Sequence, residues 1–219
     1  MGLNISKGNM YDWVTHTWNT IKGKCPHGCS YCYVKRFGKQ PDLYLDQKEF
    51  KTDLGFHNVI FIGSGCDIFA NSIPKEWICE TMNYARKFKN SYLYQTKNPQ
   101  RMYEFYYMMG DFDRVCTTIE TNRVYPDIMG ITPNPEDRAF WLSMFAFNRY
   151  LTIEPIMDFD LNEMVELIKL CNPVQVNIGS DSGHNNLPEP PKEKILELIS
   201  ELEKFTVIDQ KKNLKRLLQ

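Results

Sequence analysis

Lys24-Cys25-Pro26-His27-Gly28-Cys29-Ser30-Tyr31-Cys32-Tyr33 places three cysteines within eight residues, separated by three residues and then two. Thiolates gathered on one short loop suit a soft metal or an iron–sulfur cluster. Two chemistries stay open at this point. Tetrahedral zinc wants a fourth strong protein ligand. His27 lies inside the loop, and His57, Cys66 and Cys79 are distant candidates. A cubane cluster held by three thiolates leaves one iron open to a small molecule, whereas a fully ligated cluster mainly transfers electrons. Pro26 and Gly28 suit a loop that wraps around one object.

The remaining cysteines, Cys66, Cys79, Cys116 and Cys171, are scattered, and the total of seven is odd. A secreted disulfide framework would favour an even count in a shorter chain. The scattered four read as buried thiols. The chain of 219 residues is 42% apolar and 24% charged, which fits one globular domain spanning 1–219. The net charge of -1 weighs against affinity driven mainly by phosphate neutralisation. Lys35, Arg36 and Lys39, and in the tail Lys211, Lys212, Lys215 and Arg216, read as solvated basic faces. The opening residues lack the apolar core of a secretion signal, and no apolar run is long enough to span a bilayer. A cytoplasmic location with no membrane partner is expected. Nothing in the sequence specifies an oligomeric state.

Short apolar runs recur at Asn58–Ile62, Ser91–Gln95, Val115–Ile119, Tyr150–Ile153, Val174–Ile178 and Phe205–Ile208, and their ends lie about 24 to 34 residues apart. That is the length of a strand–helix unit. Helices are expected at Pro74–Phe88, Pro99–Met109, Pro135–Phe147, Asp160–Leu170, Pro191–Leu202 and Lys211–Leu218. Trp13–Trp18 is expected to be the first strand, running into the cysteine loop. Parallel strands need crossovers, which put helices outside. The predicted fold is α/β: a partial or open TIM-like β/α barrel with about six or seven parallel strands. Periodicity alone does not separate it from a doubly wound sheet.

Ligands of such barrels sit at the C-terminal strand ends. Those ends carry Gly63-Ser64-Gly65-Cys66-Asp67, Lys97, Glu120 with Asn122, Glu154, and Gly179-Ser180. The separated glycines suit a backbone nest, and Asp67 adds negative charge. Lys97 suits a carboxylate or phosphate, or a solvated helix start. Glu120 and Asn122 share one side if their strand continues. Glu154 points toward a cavity, on the substrate side, or forms a structural pair. His184 reads as a surface loop residue.

Cys25, Cys29 and Cys32, with aromatic Tyr31 before the last cysteine, resemble the motif of the radical SAM superfamily. The resemblance implies a [4Fe-4S] cluster whose open iron chelates S-adenosylmethionine (SAM). Reduction by a partner such as flavodoxin or ferredoxin would yield a 5′-deoxyadenosyl radical that takes hydrogen from a substrate. It implies Tyr31 near the adenine, and Gly63, Ser64, Gly65 and Asp67 near the methionine amino group, although the commonest form there has adjacent glycines. It also implies Glu120 and Asn122 at the ribose or methionine, and Gly179 and Ser180 against the adenine. Cys66 has two readings: a thiol returning hydrogen to a substrate radical, or a small packing residue.

Thr17-Trp18-Asn19, Gly63 to Asp67, Gln95-Thr96-Lys97, Ile153-Glu154-Pro155 and Gly179 to Gly183 further resemble a small phage- and mobile-element-associated radical SAM family. Some relatives of that type act on nucleic acids, so a nucleotide or nucleic-acid base is a candidate substrate. A base in a duplex would have to be extruded. Tyr33, Tyr44 and Phe69 are candidates to stack on it. The rival function is a non-catalytic iron–sulfur or zinc-bearing module that binds nucleic acid or protein.

Overall fold

A computed structural model describes residues 3–7, 10–146 and 148–219. The strands are β1 (Asn4–Ile5), β2 (His16–Trp18), β3 (Ile21–Lys22), β4 (Tyr44–Leu45), β5 (Val59–Ile62), β6 (Ser91–Thr96), β7 (Arg114–Thr118), β8 (Arg149–Ile153), β9 (Gln175–Ile178) and β10 (Val207–Gln210). Eight form one sheet in the order β1-β2-β5-β6-β7-β8-β9-β10, and β3 pairs with β4 apart from it. Within the eight-stranded sheet every pairing from β2 to β10 is parallel, and only β1 runs antiparallel, against β2; the separate β3–β4 pair is antiparallel. The helices are α1 (Lys75–Ala85), α2 (Pro99–Tyr103), α3 (Pro126–Met129), α4 (Pro135–Ser143), α5 (Leu161–Cys171) and α6 (Lys192–Leu202). Each parallel strand thus neighbours the next in sequence, as expected of a partial, open TIM-like barrel.

Alternation along the strands separates two faces. Ile60, Ile62, Tyr92, Tyr94, Val115, Leu151, Ile153, Val176 and Ile178 join the main core with helix residues such as Met82, Leu142, Ile168 and Leu198. On the inner face Phe61, Leu93 and Cys116 close against Tyr11 and Val14. Tyr11 stacks on Trp13 with ring centroids 5.2 Å apart, so the segment before β2 plugs the bottom of the barrel. Higher up, the inner face turns polar. Tyr11 donates to Gln95 Oε1 at 2.7 Å and its hydroxyl lies 2.5 Å from Thr152 Oγ1. Two residues further along these strands and β7 stand Lys97, Glu120 and Glu154. Side chains therefore pass from apolar to polar to charged toward the C-terminal mouth.

Several boundaries differ from expectation. The predicted helix from Pro99 stops at Tyr103, and a separate 3-10 turn covers Tyr106–Met108. The helix from Pro135 stops at Ser143, and its expected end, Phe147, lies outside the described residues. The tail forms a 3-10 helix, Lys212–Leu217, in place of an α-helix. Its basic residues are not all solvated, since Lys211 is only 9% exposed. Phe69 is wholly buried against Tyr94 and Phe105, which removes it from the stacking candidates. Among the described residues, no helix is long and apolar enough to cross a membrane.

Candidate functional site

The cysteine loop leaves β3 and docks on α3. Ser30 N–H donates to Ile128 O at 2.8 Å, Ile131 N–H to His27 O at 2.8 Å, and Cys29 Sγ to Met129 O at 3.1 Å. A side chain at Gly130 would place its Cβ 2.0 Å from His27 O, and φ there is +68°. Only glycine permits this close approach. The short helix α3 was not among the expected helices, although Pro126 and Gly130 mark a start and a stop.

His27 is 4% exposed and uses both ring nitrogens. Nδ1 donates to Ile131 O and Nε2 to Asp67 Oδ2, each at 2.8 Å. Burial works against its positive form, but the bond to Asp67 prevails and raises its pKa. A histidine with both nitrogens donating offers no lone pair to a metal. This removes His27 as the fourth zinc ligand.

Asp67 closes the turn after β5. Oδ2 also accepts from Thr96 Oγ1 at 2.9 Å and Lys97 N–H at 2.8 Å, and Oδ1 accepts from Phe69 N–H at 3.0 Å. Burial pushes its carboxyl up, yet His27 and these donors hold it below the ordinary value. Its charge is therefore committed to joining the cysteine loop to β6. The turn backbone is also engaged. Gly63 N–H donates to Trp18 O at 3.1 Å, and Cys66 N–H to Gly63 O at 3.2 Å. Asn19 Oδ1 accepts from Gly65 N–H at 3.0 Å, and Asn19 also bonds the Ser64 hydroxyl. Tyr33 O–H donates to Ser64 O at 2.7 Å. The buried Cys66 hydrogen-bonds Cys25. That bond draws the Cys25 pKa down to about 6 against burial, and raises that of Cys66. Burial raises the Cys32 pKa.

Beside the loop lies a buried charge cluster. Lys97 Nζ stands 3.4 Å from Cys29 Sγ, 3.1 Å from Glu120 Oε1 and 4.4 Å from the Tyr31 ring centroid. The Tyr31 hydroxyl hydrogen-bonds both Lys97 and Glu120. Arg138 Nη1 holds Glu120 Oε2 at 2.8 Å, and both side chains are 0% exposed. Arg138 further donates to Pro133 O, Thr118 O and Thr132 Oγ1. Burial would raise the Glu120 pKa, but Arg138 and then Lys97 hold it at about 2. Burial disfavours the Lys97 cation, yet Tyr31 and Glu120 raise its pKa well above the ordinary value. Burial and the Glu120 charge likewise raise the Tyr31 pKa. Sequence reasoning missed Arg138. An arginine in the first turn of α4, against the helix dipole, was the available signal.

The mouth continues across β8 to β10. Lys211 Nζ and Asn213 Nδ2 each lie 2.7 Å from a Glu154 oxygen. Ser180 and Asn213 exchange two further bonds, from Ser180 Oγ to Asn213 O at 2.7 Å and from Asn213 Nδ2 to Ser180 O at 2.8 Å. A Cβ on Gly179 would come within 2.7 Å of Glu154 Oε1, so that glycine lets the carboxylate lie against the backbone. Lys211 and Asn213 were not singled out as site residues. Asn122 goes elsewhere: β7 ends at Thr118, so the alternation that would pair it with Glu120 does not continue. Its amide accepts from Asp160 N–H at 2.9 Å and donates to Glu163 at 2.7 Å, at the start of α5.

The structure thus brings Tyr31, Lys97, Glu120 and Cys29 together, pairs Cys25 with Cys66, and gathers Glu154, Gly179 and Ser180. Among the described residues, no three His, Cys, Asp or Glu side chains are grouped as for a metal ion. A groove of about 690 Å³ along α1, lined by Phe50, Cys79 and Tyr84 among others, is built from a different set of residues.

The chain matches no protein-family model and no curated protein sequence. Its fold is similar to solved structures of spore photoproduct lyase. A variant with bound AdoMet and dinucleoside spore photoproduct aligns at TM-score 0.57 and 11% identity, over 93% of this chain and 66% of that one. The lyase complexed with dinucleoside spore photoproduct aligns at TM-score 0.56 and 11% identity, over 92% of this chain and 64% of that one. A further variant with the same lesion reaches TM-score 0.58 at 11% identity, over 93% and 66%. The chain therefore spans just under two thirds of the length of those proteins. It shares the fold of spore photoproduct lyase, a mainly parallel sheet in a partial barrel.

Proposed function

We propose that residues 1–219 form a single radical SAM domain that acts on a nucleotide or nucleic-acid base. The observation that carries this reading is the Cys25, Cys29, Cys32 loop beside the strand-end cluster of Tyr31, Lys97 and Glu120. The donor set suits a [4Fe-4S] cluster: three thiols on one loop, with His27 already engaged on both nitrogens. When bound there, the cluster and SAM supply a 5′-deoxyadenosyl radical after reduction by a flavodoxin- or ferredoxin-type partner.

The chain's own residues would then divide the work. Lys97, held by Glu120 and Tyr31, presents positive charge to a carboxylate or phosphate. Gly63, Ser64, Gly65 and Asp67 shape the methionine end, while Gly179 and Ser180 offer a backbone surface to the adenine. Glu154 faces the substrate side and Cys66 returns hydrogen. Asn122 orients the loop after β7 through its bonds to α5. The phage- and mobile-element-associated family is the finer placement we favour, on the motifs quoted above. The lesion bound in the similar lyase structures supports a nucleobase substrate.

The test is anaerobic reconstitution with iron and sulfide, reduction, and quantification of 5′-deoxyadenosine from SAM. The reading predicts a brown, cluster-bearing protein that forms 5′-deoxyadenosine, with both properties lost in Cys25→Ala, Cys29→Ala and Cys32→Ala. Failure to assemble a cluster overturns it. A cluster without SAM binding or cleavage supports the non-catalytic module.

A further inference from the structure

Beyond the bond from Tyr33 to Ser64 O, the segment immediately after Cys32 has no role in the site described so far. Tyr33–Phe37 is a 3-10 helix with no buried residue. Phe37 is 75% exposed and Tyr33 46% exposed. Their rings meet edge to face at 6.3 Å, which leaves ring faces open to solvent. Tyr44, where the chain returns in β4, is also exposed.

Charge is concentrated on the same stretch. Residues 33–41 contain Lys35, Arg36 and Lys39 and no acid, in a chain of net charge -1. All three cations are exposed. Lys35 Nζ contacts Gly28 O at 3.3 Å, and Arg36 Nη2 contacts Ser182 Oγ at 3.4 Å. Among the described residues, none of the three has a carboxylate partner. The acids on the mouth loops are already engaged: Asp181 accepts from Gly183 N–H and Asn185, and Glu189 pairs with Arg216.

Exposed ring faces interleaved with unneutralised cations suit one polymer chemistry. Bases stack on the rings and phosphates meet the cations, with little dependence on sequence. An anionic lipid surface would use the cations but gain little from edge-to-face rings set into a short helix. The location agrees. Tyr33 O–H is bonded to Ser64 O, so its ring sits between the cysteine loop and the turn after β5, at the mouth of the barrel.

We infer that the rim formed by Tyr33, Arg36, Phe37 and Lys39 docks single-stranded nucleic acid and delivers a base to the barrel mouth. This rests on the reading of the site as one that acts on a nucleobase.

The experiment measures fluorescence anisotropy of the reconstituted 219-residue chain with fluorescein-labelled oligothymidylate, oligouridylate and a duplex of equal length. Vesicles containing phosphatidylserine are measured by co-sedimentation. The variants are Phe37→Ala and the double substitution Arg36→Glu with Lys39→Glu. Single strands are expected to bind more tightly than the duplex and the vesicles. The difference between the two labelled strands shows whether the DNA or the RNA strand is preferred. Phe37→Ala is expected to lower affinity about fivefold or more, as loss of one stacked base does. The double substitution is expected to flatten the dependence of log affinity on log salt by about 1.4, the slope for two phosphate contacts on a single strand.

Both variants should form 5′-deoxyadenosine at the wild-type rate when no nucleic acid is present. Tighter binding to vesicles or duplex overturns the proposal, as does equal single-strand affinity in wild type and variants. Strand binding without SAM cleavage would leave the rim in place and defeat the radical reading. SAM cleavage without strand binding would do the reverse.

Discussion

Glu120 and Glu154 stand at the ends of neighbouring strands, and the molecule holds them in different ways. Glu120 is fully buried between Arg138 and Lys97, and that lysine reaches Cys29. Glu154 is 18% exposed and is held by Lys211 and Asn213, from a tail 57 and 59 residues later in the chain. The first arrangement is built into the barrel wall. A buried carboxylate with buried cations keeps its geometry because any departure leaves a charge without a partner. The second depends on a terminal turn closing over the sheet. The cysteine side of the mouth is thus fixed by fully buried charges, and the tail side by a terminal segment that anchors Leu214 in the core.

Breaking each pair measures this difference. Arg138→Met should carry the largest cost, about 3–5 kcal/mol in urea unfolding, because it leaves Glu120 buried beside a lost cation. Arg138→Lys should recover part of it. The Lys211→Met cost should be smaller, about 1.5–3 kcal/mol, the value of one hydrogen bond between charged groups. If the two methionine variants unfold at the same urea concentration, the two sides do not differ in the way described.

The same contrast has a pH signature. Glu120 is held at about 2 against an ordinary 4.5. A carboxyl depressed by folding stabilises the native state above its unfolded pKa, and that contribution fades as pH falls through the folded value. The gap in thermal midpoint between wild type and Glu120→Gln should therefore narrow from about pH 4.5 down to about pH 2. A gap that stays constant over that window contradicts the buried-pair account. The smallest effect belongs to Asn122→Ala. It removes bonds at the exposed start of α5, so it should cost about 0.5–2 kcal/mol, the range for a lost helix cap. Cluster content, read by absorbance, should not change.

Much of the cysteine side was legible because its signals are local. Three cysteines at close spacing, strand runs of β-branched residues, and proline or glycine at helix ends all lie within a few residues of what they specify. The polar strand ends were legible for a related reason, since ligands of a β/α barrel sit just past its strands. The misses have a common cause. Arg138 looked like an ordinary first-turn residue of α4, and its burial depends on Pro133, Thr118 and Thr132 folding around it. Lys211 looked like part of a solvated basic tail, and only the sheet order brings it to Glu154. Asn122 was paired with Glu120 on the assumption that β7 continues, but the backbone leaves the sheet after Thr118. Phe69 was a stacking candidate only until its core neighbours were known. In each case the deciding contact is tertiary.

The central claim is that the Cys25, Cys29, Cys32 loop carries a cluster with an iron open to SAM. Its most direct test is electron paramagnetic resonance of the reconstituted, dithionite-reduced chain, recorded with and without SAM. The account predicts a reduced [4Fe-4S] signal whose g-values shift when SAM is added, with no such signal in Cys29→Ala. A cluster signal that SAM leaves unchanged would contradict it.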